Sequence, residues 1–211
     1  MYTLYYAPST ASLAIHWMLI EMGVPFDTVK LDITAPARDQ DQPAYRALNP
    51  AGTVPTLVVD GIPVAETAAI MLLLAERHPD LGYAPAIGSP ERGPWLTAMM
   101  HLTNTLMPAF RCWYYPAEIG DSAEAKAAQG QRIMQVWERM DARLADGRPY
   151  LQGTSLTTAD FLLTMLTRWS RSMPKPATAW PHLGAYVNRM RAMPSLREVH
   201  AREGLTDWIG D

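Results

Sequence analysis

The stretch VPTLVVDGIPVAET, residues 54–67, decides the fold. TLVVD (56–60) and PVAE (63–66) read as two β-strands, and Asp60-Gly61 between them is a two-residue hairpin signal. Pro55 stands at the entry of the first strand. A proline cannot donate to a ladder, so it belongs at a strand start, an edge or a bulge. It is also the residue most able to hold a cis peptide bond. Such a bend leaves the N–H and C=O of Val54 free for a ligand that lies alongside as an extra strand. The stretch closes on Glu66-Thr67, where the helical run TAAIMLLLAERH (67–78) begins and Pro79 stops it. The N–H groups and positive dipole end of a helix start attract a carboxylate. The Thr67 hydroxyl adds a donor, and Glu66 can accept from an ammonium. The three positions together describe a pocket for a short peptide with a free α-amino-acid head.

Outward from the hairpin, TLYY (3–6) is a short strand, and residues 12–22 are helical, with Leu13, Trp17 and Ile20 at helical spacing and Gly23 as a cap. FDTVKLDI (26–33) alternates like a strand. The order is β-α-β, an irregular segment, then β-β-α. The first half needs a helical crossover and hence parallel strands; the second is an antiparallel hairpin with a covering helix. A four-stranded mixed sheet of the thioredoxin type satisfies that order. After PDLGYAPAIGSP (79–90) only helical patterns remain. Pro94 falls early in a helix, and Pro108 is expected to end or kink it. Ile133, Trp137, Met140 and Leu144 form one apolar stripe, and TTADFLLTMLTRW (157–169) is apolar almost all round, with Thr157 and Asp160 spaced as a capping box. Residues 181–193 and 195–203 give two closing helices. The expected division is an α+β domain over 1–79, a linker over 80–90 and an all-helical domain over 91–211.

The chain of 211 residues is 48% apolar and 18% charged, with net charge −3, an ordinary composition for a folded domain. The arginines are scattered with no basic stripe, so nucleic acid is not expected. The single cysteine, Cys112, can make no internal disulfide and belongs to no zinc spacing; it is expected as a buried or half-buried thiol in a reducing compartment. The first residues, MYTLYYAP, are strand-like, so no signal peptide is expected, and no apolar stretch is long enough for a membrane span. Neither nucleotide-binding, hydrolase nor zinc-protease motifs occur.

The segment LNPAGTVPTLVVDGIPVAETAAIMLLLAERHP (48–79) resembles the glutathione-binding segment of cytosolic glutathione S-transferases. GTSLTTADFLL (153–163) resembles that family's buried helix with its capping box, and WPHLGAYVNRMRAMPSLREVHAREGL (180–205) its closing helices. The resemblance covers almost the whole chain and implies the family's fold, a thioredoxin-like domain followed by an all-α domain, together with a homodimer, a cytoplasmic location and a role in detoxification. It implies main-chain bonds from Val54, before a cis Pro55, to the cysteinyl part of glutathione, with Thr53 alongside, and a γ-glutamyl end held by Glu66 and Thr67. Glutathione is then the co-substrate, and no metal is called for.

A thiol with pKa near 8.5 is only about 3% thiolate at pH 7. Lowering that value by ~2 units requires ~2.7 kcal/mol of preferential anion stabilisation, which a hydroxyl beside a helix N-terminus can largely provide. YYAPSTASLAIHW (5–17) holds the donors Tyr6, Ser9, Thr10 and Ser12. The loop is most similar to that of the bacterial beta-type enzymes, which usually carries a cysteine where Ala11 stands here. A mixed disulfide with glutathione is therefore not available from it. Thr10, at the helix entry, is the first candidate to activate the thiol, Ser12 the second and Tyr6 the third; Ser9 is assigned to glutathione binding. The beta-type histidine of the second domain has no counterpart in NTLMPAF (104–110). His16, in an apolar helix, reads as a core histidine. A flat hydrophobic electrophile is expected between the domains, against Met107, Phe110, Arg111, Trp113 and Tyr114. The expected activity is conjugation of the glutathione thiolate to such an electrophile. The alternatives are a non-catalytic glutathione-binding module, favoured by the missing cysteine, and a specialised glutathione-dependent isomerase or dehalogenase.

Overall fold

The computed structural model describes residues 1–209. The chain divides into two compact units, Met1–Leu81 together with the stretch from Met193 onward, and Gly82–Ala192. The first unit carries β1 (Tyr2–Tyr6), α1 (Leu13–Met22), β2 (Phe26–Lys30), α2 (Pro43–Leu48), β3 (Thr56–Val59), β4 (Ile62–Ala65), α3 (Thr67–Arg77) and, from the far end of the sequence, α9 (Pro194–Glu203). The sheet order is β2-β1-β3-β4, with β1 parallel to β2 and antiparallel to β3, and β3 antiparallel to β4. This is the mixed sheet expected from the element order. Asp60 and Gly61 both have positive φ, 52° and 86°, as a tight hairpin with right-handed strand twist requires. Pro63 is tolerated because β4 is an edge strand.

Leu4 and Leu57, paired across β1 and β3, are wholly buried, and burying each side chain is worth about 1.5–3 kcal/mol. Leu13 through Leu19 of α1 are buried without a break, because β1, α3 and α9 all pack on this helix. The indole N–H of Trp17 donates to Ser195 Oγ at 2.8 Å, tying α1 to α9. The sequence boundaries place this last helix with the all-helical half; its packing places it with the first unit. β2 ends at Lys30 rather than at residue 33. Leu31 N–H still donates to Tyr6 C=O, and then the Asp32 carboxylate draws the chain into a turn by accepting from Thr34 N–H and hydroxyl.

The second unit holds α4 (Arg92–His101), α5 (Met107–Tyr114), α6 (Ala123–Leu144), α7 (Thr158–Trp169) and α8 (Pro181–Arg191). No helix ends at Pro108. A π-helical stretch, Leu102–Leu106, joins α4 to α5, and Pro108 lies in the first turn of α5. There its missing N–H removes no bond that α5 needs, and the wider π turn makes room for the ring. α7 is buried from Thr158 to Arg168 and forms the centre of this unit. Its capping box forms: Asp160 accepts from Thr157 N–H at 2.9 Å and from the Thr157 hydroxyl, and it also accepts from Leu151 N–H at 2.7 Å and the Tyr186 hydroxyl at 3.0 Å. Burial pushes the Asp160 carboxyl up, and these four donors oppose that shift.

Candidate functional site

The strand register gathers the site. Tyr5 of β1 pairs with Thr56 of β3, and Thr56 pairs with Ala65 of β4. The three segments that leave this row are Tyr6-Ala7 and its loop, Val54-Pro55, and Glu66-Thr67. All emerge at one end of the sheet, across two strand spacings of about 5 Å each.

The loop between β1 and α1 carries the hydroxyls. Thr10, half-buried, donates from Oγ1 to Ala7 C=O at 2.8 Å, and wholly buried Ser12 does so from Oγ at 3.0 Å. The two hydroxyl oxygens are 2.9 Å apart. Ser12 is the residue before α1, so Thr10 sits beside the start of that helix, as the sequence suggests. Ser9 has a left-handed backbone, φ 64°, and its N–H donates to Glu203 Oε2 at 2.9 Å. The other Glu203 oxygen meets His16 Nδ1 at 2.9 Å, with both side chains buried. His16 is thus a core residue, and its Nε2 has no hydrogen-bond partner among the described residues. Tyr6 is buried with its ring 5.0 Å from the His16 ring. Burial, and then the Glu203 charge, raises its phenol, which keeps Tyr6 protonated through neutral pH.

Val54 is held by a network that the sequence pattern did not reveal. The peptide between Val54 and Pro55 is cis. Wholly or largely buried Tyr45 and Asn49, from α2 and its end, converge on the Thr53 carbonyl: Tyr45 OH donates at 2.6 Å and Asn49 Nδ2 at 2.8 Å. Thr56 Oγ1 lies 2.8 Å from the same Tyr45 hydroxyl. Burial raises the Tyr45 phenol, so it remains a donor. Asn49 Oδ1 also accepts from Ala51 N–H, forming the Asn-led turn that the string NPAG could have announced. Gly52, φ 62°, lets the Arg46 guanidinium lie against the backbone and reach Pro50 C=O at 2.7 Å; a Cβ here would stand 2.4 Å from Arg46 Cζ.

Glu66 is exposed, precedes α3 directly and has φ 70°, a conformation that costs a non-glycine residue about 1–2 kcal/mol. Its side chain makes no capping bond to the helix. Its carbonyl accepts from Ile70 N–H, so α3 starts immediately and presents its first N–H groups beside buried Thr67. Strain of this kind persists only where the surrounding structure holds it in place.

In the helical unit, the five residues expected to face an electrophile divide. Phe110 is wholly buried between Trp137, at 6.0 Å, and Trp169, at 5.9 Å, so it serves the core of that unit. Met107 and Trp113 are half-buried; Arg111, paired with Glu118, and Tyr114, 40% exposed, remain accessible in this unit. Among the described residues no group of three or more His, Cys, Asp or Glu side chains is placed to hold a metal ion, and no helix is long and apolar enough to cross a membrane.

Two family models match the chain. The model of the glutathione S-transferase N-terminal domain matches residues 8–77, and that of the C-terminal domain residues 69–194. Glutathione S-transferase GST-4.5 of Xanthomonas campestris pv. campestris is 30% identical over 206 residues, spanning 96% of this chain and 98% of the relative. The structure of a sphingomonad glutathione S-transferase complexed with glutathione matches with 32% identity and a TM-score of 0.85, over 97% of this chain and 100% of its own. The bacterial beta-class glutathione S-transferase of Sphingomonas chungbukensis matches with 31% identity and a TM-score of 0.84, over the same shares.

Proposed function

Because this chain belongs to the glutathione S-transferase family, we propose that it is a transferase that binds glutathione at the sheet end carrying Val54, Glu66 and Thr67 and conjugates its thiolate to a flat hydrophobic electrophile. The observation that carries the reading is Glu66: exposed, strained at φ 70° and directly ahead of a helix whose first N–H groups it does not cap. A γ-glutamyl head fits there, with its carboxylate on the α3 N-terminus and the Thr67 hydroxyl, and its ammonium on Glu66. The N–H and C=O of Val54 pair with the cysteinyl backbone, with Ser9 and Thr53 alongside, which brings the sulfur to the β1–α1 loop.

At that loop Thr10 donates to the thiolate. Ala11 cannot form a mixed disulfide, so thiolate stabilisation rests on hydroxyl donation and on the start of α1. The electrophile is received by the exposed part of Met107–Tyr114, with Arg111 and Tyr114 supplying a cation and an aromatic face. The protein works as a cytoplasmic homodimer in detoxification.

Glutathione titration by calorimetry and conjugation of an aryl halide test the reading. Wild type binds glutathione and turns over; Glu66→Ala and Thr67→Ala lose binding by roughly tenfold or more, the scale of one charge-assisted hydrogen bond. Unchanged binding in both variants refutes the clamp. Binding without conjugation in wild type means a glutathione-binding module.

A further inference from the structure

The thiol-activating loop contains a closed triangle of oxygens with one proton too few. Thr10 Oγ1, Ser12 Oγ and Ala7 O are separated by 2.8, 2.9 and 3.0 Å. Each edge is a hydrogen bond in length, yet only the two hydroxyls bring protons. Two further donors point into the triangle: Ala7 N–H to Ser12 Oγ at 3.3 Å, and Ser12 N–H to Thr10 Oγ1 at 3.3 Å. Ser12 is wholly buried while Thr10 is half-buried, so only the Thr10 side of the triangle opens outward.

We propose that Ser12 is a positioning residue that frees the Thr10 proton for a substrate thiolate, by donating within the triangle whenever Thr10 turns its hydroxyl outward. The inference rests on Thr10 being the donor to sulfur. In the resting arrangement Thr10 donates to Ala7 C=O. When its proton turns to a sulfur anion, Ser12 O–H donates to Ala7 C=O, which thereby keeps a donor. A wholly buried carbonyl would otherwise lose its partner, a cost comparable to the bond gained. With Ser12 O–H on Ala7 C=O, Thr10 Oγ1 accepts from Ser12 N–H while its own proton goes to the sulfur. Ser12 itself does not touch the thiolate, so its effect passes entirely through Thr10.

The test is a double-mutant cycle read by the ultraviolet absorbance of enzyme-bound glutathione thiolate against pH, in wild type, Thr10→Ala, Ser12→Ala and the double variant. The bound thiol in Thr10→Ala moves back toward its free pKa, short of it by what the start of α1 supplies. Ser12→Ala lowers the thiolate-to-thiol ratio at pH 7 by about three- to tenfold, the scale of one neutral hydrogen bond, with glutathione affinity little changed. In the Thr10→Ala background, removing Ser12 adds nothing further. A wild-type thiol pKa in Ser12→Ala, or additive effects in the double variant, overturns the relay and leaves Thr10 as the donor. A pKa unchanged by Thr10→Ala removes Thr10 from the chemistry, and the role of Ser12 with it. If Ser12→Ala fails to fold, Ser12→Cys keeps the volume with a weaker donor. The acid limb of its kcat/KM against an aryl halide moves to higher pH if the relay holds and stays in place if it does not.

Discussion

His16 and Glu203, 187 positions apart in sequence, meet in a buried contact of 2.9 Å between Nδ1 and Oε1, and the second Glu203 oxygen accepts from Ser9 N–H in the loop that carries Thr10. One carboxylate therefore fixes both the first helix and the loop before it. Glu203→Ala removes the acceptor of the buried His16 Nδ1, at a cost of about 1–3 kcal/mol, and takes a part-buried bond from Ser9 N–H. The expected outcome is a fall in unfolding free energy of roughly 1–3 kcal/mol, checked by urea denaturation. Glu203→Gln, which still accepts at one oxygen, loses less.

Glu66→Gly separates stability from binding. Glycine adopts φ near 70° without the side-chain penalty, so the variant gains up to about 1 kcal/mol in unfolding free energy even after the added freedom of its unfolded chain. It also removes the acceptor for the ammonium, so glutathione affinity falls. Calorimetric binding and thermal melting of the same preparation read the two opposite signs together.

Gly52→Ala is expected to destabilise by about 1–2 kcal/mol, from its positive φ. Its Cβ would also stand 2.4 Å from the Arg46 guanidinium carbon, so Arg46 must leave Pro50 C=O. The turn that presents Val54 then loosens, and the KM for glutathione rises; steady-state kinetics with melting checks both.

Asp160→Ala removes the acceptor of four hydrogen bonds at the centre of the helical unit. The expected loss is about 3 kcal/mol or more, since Leu151 N–H and Thr157 N–H are left buried and unpaired. Asp160→Asn keeps one acceptor oxygen and loses less. Denaturant midpoints of the two variants give the ranking.

Three surface carboxylates set an acid limb. Hydrogen bonds from Arg38 and then Arg46 lower Asp41, the N-terminal ammonium and then Arg77 lower Asp60, and Arg148 lowers Asp146 to about 2. Each folded value lies below the unfolded one, so the unfolded chain binds more protons and stability rises with pH. The contribution is complete above the ordinary carboxylate range, about 4, and is lost as pH falls through the lowered values. Urea midpoints between pH 6 and 2 should show this slope, slightly flattened in Asp146→Asn.

The sheet and most helices could be read from the sequence because their signals are local. Asp60-Gly61, the alternation of 56–59 and the run after Thr67 each declare an element within a few residues. The junction at Glu66-Thr67, where β4 gives way to α3, was legible for the same reason. The strain at Glu66 was not, because nothing in its side chain requires a positive φ; that conformation comes from β4 running directly into α3. Glu203 had no signal at all. Near the end of a charged helix it reads as a surface acid, and only the packing of α9 on α1 buries it. That no helix ends at Pro108 was not legible, because nothing in the sequence announces the π-helical turn that precedes it.

The return of α9 to the first unit also sets an order of events during synthesis. Leu81 leaves the ribosome more than a hundred residues before Glu203, on the order of 10 s earlier at ordinary elongation rates. Through that interval Trp17 lacks its Ser195 acceptor, and His16 and Ser9 N–H lack theirs. The helical unit, Gly82–Ala192, is complete in sequence first. The loop that bears Thr10 acquires its final brace only once the last helix has been made, so a nascent chain holds a finished sheet well before it holds a finished site.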